Sequence, residues 1–136
     1  MTVELFSRAG IEINGIRHLS TNEALVLCKK GVVLVDVREK YMSSFKQFDL
    51  ENCLKLPLSL LKENPALLLK EEYYIIADAV GLRSKEAVEL LKGLGFTNIA
   101  NLSGGIVAWE RNGLSIKVNN SYRLTGSCKC QLKPGE

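Results

Sequence analysis

The run Val32-Val33-Leu34-Val35-Asp36-Val37 is almost wholly apolar and largely β-branched. A strand without polar alternation has no face to give to water. Such strands lie inside parallel sheets covered on both sides, which commits the chain to an α/β layout. Asp36 falls near the C-terminal end of the run, where ligands gather in open α/β sheets.

The surrounding patterns repeat the strand-to-helix alternation. Ile16 to Leu19 reads as a short first strand. Ser20-Thr21-Asn22-Glu23 then supplies an N-cap with a glutamate three residues on, opening a helix that carries Ala24, Leu25, Leu27 and Cys28 and ends at Gly31. Arg38 to Leu50 is polar with scattered aromatics (Tyr41, Phe45, Phe48) and suits a short helix or ordered loop better than a strand. Cys53 to Leu56 reads as a strand stopped by Pro57, with short helices expected through Leu60 and Leu61 and from Ala66 to Lys70. Tyr73 to Ala77 is a further strand. Ser84 then reads as the N-cap of a helix bearing Ala87, Val88, Leu90, Leu91 and Leu94, closed by Gly95. Asn98 to Leu102 is the fifth strand, and Ser103-Gly104-Gly105 turns into a helix carrying Ile106, Val107 and Trp109 that stops at Asn112-Gly113.

A chain of 136 residues, 46% hydrophobic and 24% charged, suits one domain with one core. The net charge of +3 is spread along the chain with no block of like charges, so neither nucleic acid nor an anionic membrane is expected as a partner. The start of the chain lacks the apolar core of a signal peptide, and no apolar run approaches the ~18 residues that span a bilayer. A cytoplasmic location follows as the expectation. Four cysteines in such a setting pose a question of reactivity more than of disulfides.

The loop Asp78-Ala79-Val80-Gly81-Leu82-Arg83-Ser84 joins a strand to a helix. Backbone N–H groups of such loops, at a helix N-terminus, hold anions or reactive nucleophiles. Together with Val35-Asp36-Val37-Arg38-Glu39 and Leu102-Ser103-Gly104-Gly105 plus Trp109, the loop resembles the rhodanese (thiosulfate sulfurtransferase-like) family, in order and spacing, over roughly residues 16 to 114. The resemblance implies a single domain with a mainly parallel five-stranded sheet flanked by helices on both faces. The domain is placed at residues 1–117 (core 16–114), with residues 118–136 as a C-terminal tail.

Active members of the family carry a cysteine at the first loop position, in the pattern C-x-x-x-x-R. Here that position is Asp78, and six residues from Asp78 to Arg83 match the sulfurtransferase branch; the cell-cycle phosphatase branch has one more. A second departure is Phe48-Asp49-Leu50-Glu51-Asn52-Cys53, where the family often has G-H-I-x-G-A. The resemblance further implies that Arg83 turns toward the loop or an acidic partner, with Asp36 and Glu39 as candidates, and that Asp36 and Arg38 serve as structural support.

Rhodanese chemistry needs a thiolate that attacks the outer sulfur of thiosulfate. A carboxylate cannot carry sulfane sulfur in that way and repels an incoming anion. Asp78 is therefore expected to accept the loop N–H groups as an internal substitute for the family's thiolate. The alternative is a residue in a loop no longer under chemical demand.

The other reactive feature is Cys128-Lys129-Cys130, two thiols in an electropositive setting. They are candidates for a persulfide or disulfide carrier, or an incidental part of the tail. Zinc would need two more ligands from Cys28, Cys53, His18 or a second subunit, none at the usual spacing, so no metal and no cofactor is expected. Cys28 and Cys53 read as buried small hydrophobes and His18 as a packing or surface residue. Two functions follow as expectations: a module inactive through its loop that binds or regulates a protein partner, or a sulfur-relay or thiol-redox protein working through Cys128 and Cys130 with a sulfur donor or acceptor.

Overall fold

The computed structural model describes Phe6 and residues 9–119. The elements in chain order are β1 (Ile11–Ile13), β2 (Ile16–Leu19), α1 (Thr21–Lys29), β3 (Val33–Asp36), α2 (Lys40–Ser43), β4 (Lys46–Phe48), β5 (Cys53–Lys55), α3 (Leu58–Glu63), β6 (Tyr74–Ala77), α4 (Leu82–Gly93), β7 (Ile99–Leu102), α5 (Gly105–Arg111) and β8 (Ile116–Val118).

The central sheet has the order β1-β2-β7-β6-β3-β5. Five of its strands run parallel, and β1 is added antiparallel to β2. Because strand side chains alternate, each strand feeds two cores. Leu34, Ile75 and Leu102 pack with Ala24, Leu27 and Trp109 of α1 and α5 on one face. Val35, Ile76 and Ile99 pack with Leu58, Leu61, Ala87, Val88 and Leu91 of α3 and α4 on the other. The double burial required by the run from Val32 to Val37 is met in this way.

The capping box at Ser20 forms as the sequence indicates. Glu23 N–H donates to Ser20 Oγ at 3.2 Å, and Ser20 N–H to Glu23 Oε1 at 2.9 Å. The other carboxylate oxygen accepts from Gly10 N–H at 2.9 Å, tying the N-terminal hairpin to α1.

Three local expectations are corrected. Within Arg38 to Leu50 the short helix α2 is followed by a strand, β4, whose antiparallel partner is β8. That pairing joins Phe48 to Ile116 and carries Phe48 edge-on against Trp109, 5.2 Å between ring centres, so its cause is distant in sequence. In place of a helix from Ala66 to Lys70 there is a short 3-10 turn at Pro65–Leu67. The helix read as starting at Ser84 starts at Leu82, with Gly81 as its N-cap at φ +100°, a conformation that favours glycine. Pairing in β8 continues through Val118.

Candidate functional site

The C-terminal ends of β3, β6 and β7 lie side by side, and the loop after β6 rises from the middle of them. Asp78, its first residue, is only 2% exposed. Its carboxylate is turned inward: Gly81 N–H donates to Oδ1 at 2.5 Å, Arg83 N–H to Oδ2 at 2.9 Å, and Ser84 Oγ lies 3.2 Å from Oδ1. Gly81 itself offers α4 no side-chain cap. Asp78 does that work from three residues upstream, and a negative charge at the N-terminus of a twelve-residue helix is further favoured by the helix dipole.

Ser84, displaced from the expected cap position, is fully buried in the first turn of α4. Its hydroxyl also contacts Asn101 Oδ1 on β7, and Asn101 Nδ2 lies 3.1 Å from His18 Nδ1 on β2. Sequence reasoning passed over Asn101 and treated His18 as incidental. The available signal was one polar residue inside the otherwise apolar stretch Ile99-Ala100-Asn101-Leu102, since a buried amide is kept only where its hydrogen bonds are met.

The loop is clasped from the side by the Ser103-Gly104-Gly105 turn. Ile106 N–H donates to Asp78 O at 2.9 Å and Val107 N–H to Ala79 O at 3.1 Å. A Cβ on Gly105 would stand 2.4 Å from Asp78 O and 2.5 Å from Ala79 O, at a φ of +58°. Glycine is required there by contact as well as by conformation. Outward, the loop presents Val80 and Leu82, 51% and 74% exposed, beside exposed Arg83.

Asp36 and Arg38 form a buried pair with each other. Arg38 Nε donates to Asp36 Oδ1 at 3.0 Å and an Nη to Oδ2 at 2.8 Å, while Arg38 N–H reaches Oδ1 at 3.1 Å. The same guanidinium donates to Lys46 O at 2.8 Å and Met42 O at 3.3 Å and lies over the Phe48 ring, so it pins α2 and β4 to the end of β3. Of the two expectations for Arg83, the acidic partner at Asp36 or Glu39 is not met. Asp36 is occupied by Arg38, Glu39 bonds Ser59 N–H at 3.2 Å and Ser59 Oγ at 2.9 Å, and Arg83 forms no ion pair among the described residues.

Cys28 is buried, and burial, with Cys53 nearby, pushes its thiol up to about 12 from an ordinary value of 9.0. Burial and then Asp36 push Cys53 up to about 11, against opposing Lys55, Arg38 and Lys117. Both are held as neutral thiols, which are poor nucleophiles. Iodoacetamide at about pH 8, near the free-thiol reference of ~8.5, is expected to leave both unmodified in native protein and to label both after unfolding, by peptide mapping. Since the folded values lie above the unfolded one, the stability from keeping these thiols neutral is complete below about 9 and lost as pH rises through about 11 and 12. A Cys28→Ala/Cys53→Ala variant is expected to lose less stability than wild type over that range.

Cys128 and Cys130 lie outside the described residues. Among the described residues no group of three His, Cys, Asp or Glu side chains gathers as a metal site would need, and no helix is long and apolar enough to cross a membrane. Chemically, the loop is a set of amide donors at a helix N-terminus, built to hold one negative charge that the chain itself supplies.

The rhodanese-like domain family matches residues 20–112. A sulfurtransferase of Allochromatium vinosum is 34% identical over 87 residues, 64% of this chain and 79% of that protein. Rhodanese-like domain-containing protein 17 of Arabidopsis thaliana is 28% identical over 116 residues, 75% of this chain and 73% of that one. Among solved structures, a rhodanese-related protein from Thermoplasma volcanium superposes with a TM-score of 0.66 at 31% identity, covering 76% of this chain and 99% of that one.

Proposed function

The chain belongs to the rhodanese-like domain family, and from that premise we propose that it is a module without thiosulfate sulfurtransferase activity through its loop, serving as a binding or regulatory partner of another protein in the cytoplasm. One observation carries this reading: the Asp78 carboxylate takes the Gly81 and Arg83 N–H groups. A thiolate or bound oxyanion would need the same donors, and a fixed carboxylate there opposes a second anion. Val80 and Leu82, exposed on the loop, give a protein partner apolar contact. The test is thiosulfate:cyanide sulfurtransfer by the purified protein and by a Cys128→Ser/Cys130→Ser variant. No turnover above background is expected from the double variant; turnover persisting in it would sink the reading.

A second reading is favoured by where the last described residue, Asn119, lies. Asn119 N–H donates to Phe45 O at 2.8 Å, next to Lys46, whose carbonyl holds Arg38 at the end of β3. The register partner of Asp36 on β6 is Ala77, the residue before Asp78. Asn119 is thus on the loop's side of the sheet, and eight residues lie between it and Cys128, a span of at most about 30 Å. In this reading a Cys128 or Cys130 thiolate attacks the outer sulfur of thiosulfate, the S–S bond breaks, sulfite leaves and a persulfide remains. Mass spectrometry after exposure to thiosulfate separates the readings, with an added sulfur on either residue supporting the relay.

A further inference from the structure

Four polar side chains stand in line from β2 to the loop. His18 Nδ1 lies 3.1 Å from one end of the Asn101 amide, the other end meets Ser84 Oγ, and Ser84 Oγ lies 3.2 Å from Asp78 Oδ1. Asp78, Ser84 and Asn101 are buried, and His18 is half-buried. The hydroxyl has one proton to give, and it faces both a carboxylate and an amide. Because the two ends of an asparagine amide have the same reach, the line admits two proton arrangements.

In the first, the Asn101 NH2 donates to a bare His18 Nδ1 and Ser84 spends its proton on the amide oxygen. Ser84 Oγ and Asp78 Oδ1 then face each other with no proton between them, in a buried site. In the second, the amide is turned over. His18 Nδ1–H donates to the Asn101 oxygen, the Asn101 NH2 to Ser84 Oγ, and the Ser84 hydroxyl to Asp78. Every contact then carries a proton, and the last of them reaches an ionised acceptor, a class of hydrogen bond roughly twice as strong as a neutral one. The rarer Nδ1–H form of the imidazole is a smaller cost than an unprotonated contact against a buried carboxylate.

We propose that this proton chain runs from His18 through Asn101 and Ser84 to Asp78, making His18 and Asn101 positioning residues that lock the loop's carboxylate in its amide cradle. The proposal rests on the reading that Asp78 stays in the loop as a carboxylate. It raises the donors on that carboxylate from two to three and ties the loop to β2, two strands away.

His18 is the chain's one histidine, so long-range 1H–15N spectra of the ring give one unambiguous pair of nitrogen signals. At mildly alkaline pH the wild type is expected to carry the ring proton on Nδ1. Ser84→Ala cuts the chain and Asp78→Ala removes its end, and in both the ring is expected to return to the ordinary Nε2–H form. An Nε2–H ring in the wild type overturns the proposal, as does an Nδ1–H ring retained in either variant. Where a variant does not fold, the wild-type tautomer alone decides. Sulfurtransfer persisting in the Cys128→Ser/Cys130→Ser variant would defeat the functional reading without bearing on the tautomer, so the two failures are distinct.

Discussion

Asp78→Cys, made in a Cys128→Ser/Cys130→Ser background, is expected to transfer sulfur from thiosulfate to cyanide where its Asp78 parent does not. The donors that now serve the carboxylate, Gly81 N–H and Arg83 N–H, would face the new sulfur at the N-terminus of α4. That environment lowers a thiol's pKa and stabilises the anion. The carbonyls of Asp78 and Ala79 stay pinned by Ile106 and Val107, so the loop has a reason to keep its shape when the side chain changes. Oriented N–H donors of this kind are worth on the order of 10²-fold or more each in rate, so the gain should stand well clear of background. Cys28 and Cys53, held neutral, would not contribute. A folded variant that neither forms a persulfide nor turns over would mean that the cradle is the wrong shape for sulfur, and with it the account of what Asp78 replaces would fall.

Arg38→Ala is expected to cost the most stability. The substitution strands Asp36, 1% exposed, without its counter-charge and leaves Lys46 O and Met42 O without their donor. Breaking one side of a buried pair costs about 3–5 kcal/mol, which in a domain of this size lowers Tm by on the order of 10–20 °C. Arg38→Lys should recover only part of this, because an ammonium cannot hold two carboxylate oxygens and two carbonyls in one plane. Urea denaturation reads the result as a fall in midpoint at unchanged slope. A loss under about 1 kcal/mol would show that water replaces the guanidinium, and that the pair contributes little to the fold.

The strands that run through the core are legible in the sequence because burial on both faces leaves no polar alternation to misread, as at Val32 to Val37 and Tyr73 to Ala77. Helix ends are legible where a side chain makes the cap, as Ser20 and Glu23 do. They mislead at Ser84, where a glycine at positive φ opens the helix and the carboxylate that caps it comes from Asp78. Sequence reasoning passed over β1, although the Asn14-Gly15 pair, both at positive φ, is the usual signature of a two-residue hairpin; Ile11 and Ile13, exposed on the strand, gave no core pattern to read. β4 has no local mark at all, since its partner lies beyond α5. The same holds within the site. Asp78 is conspicuous by its place in a loop, whereas Asn101 and His18 acquire meaning only from contacts across the sheet.

The strand order also has a consequence in time. β2 leaves a ribosome well before its parallel neighbour β7, whose Asn101 stands 83 residues after His18. At about 5–20 residues per second, several seconds or more pass before that partner is made. Meanwhile β1 can fold back on β2 through Asn14-Gly15 and cover one of its edges at once. The sheet can close onto β2 only after Asn101 has emerged, so the link from His18 to the loop waits on the synthesis of every element between them.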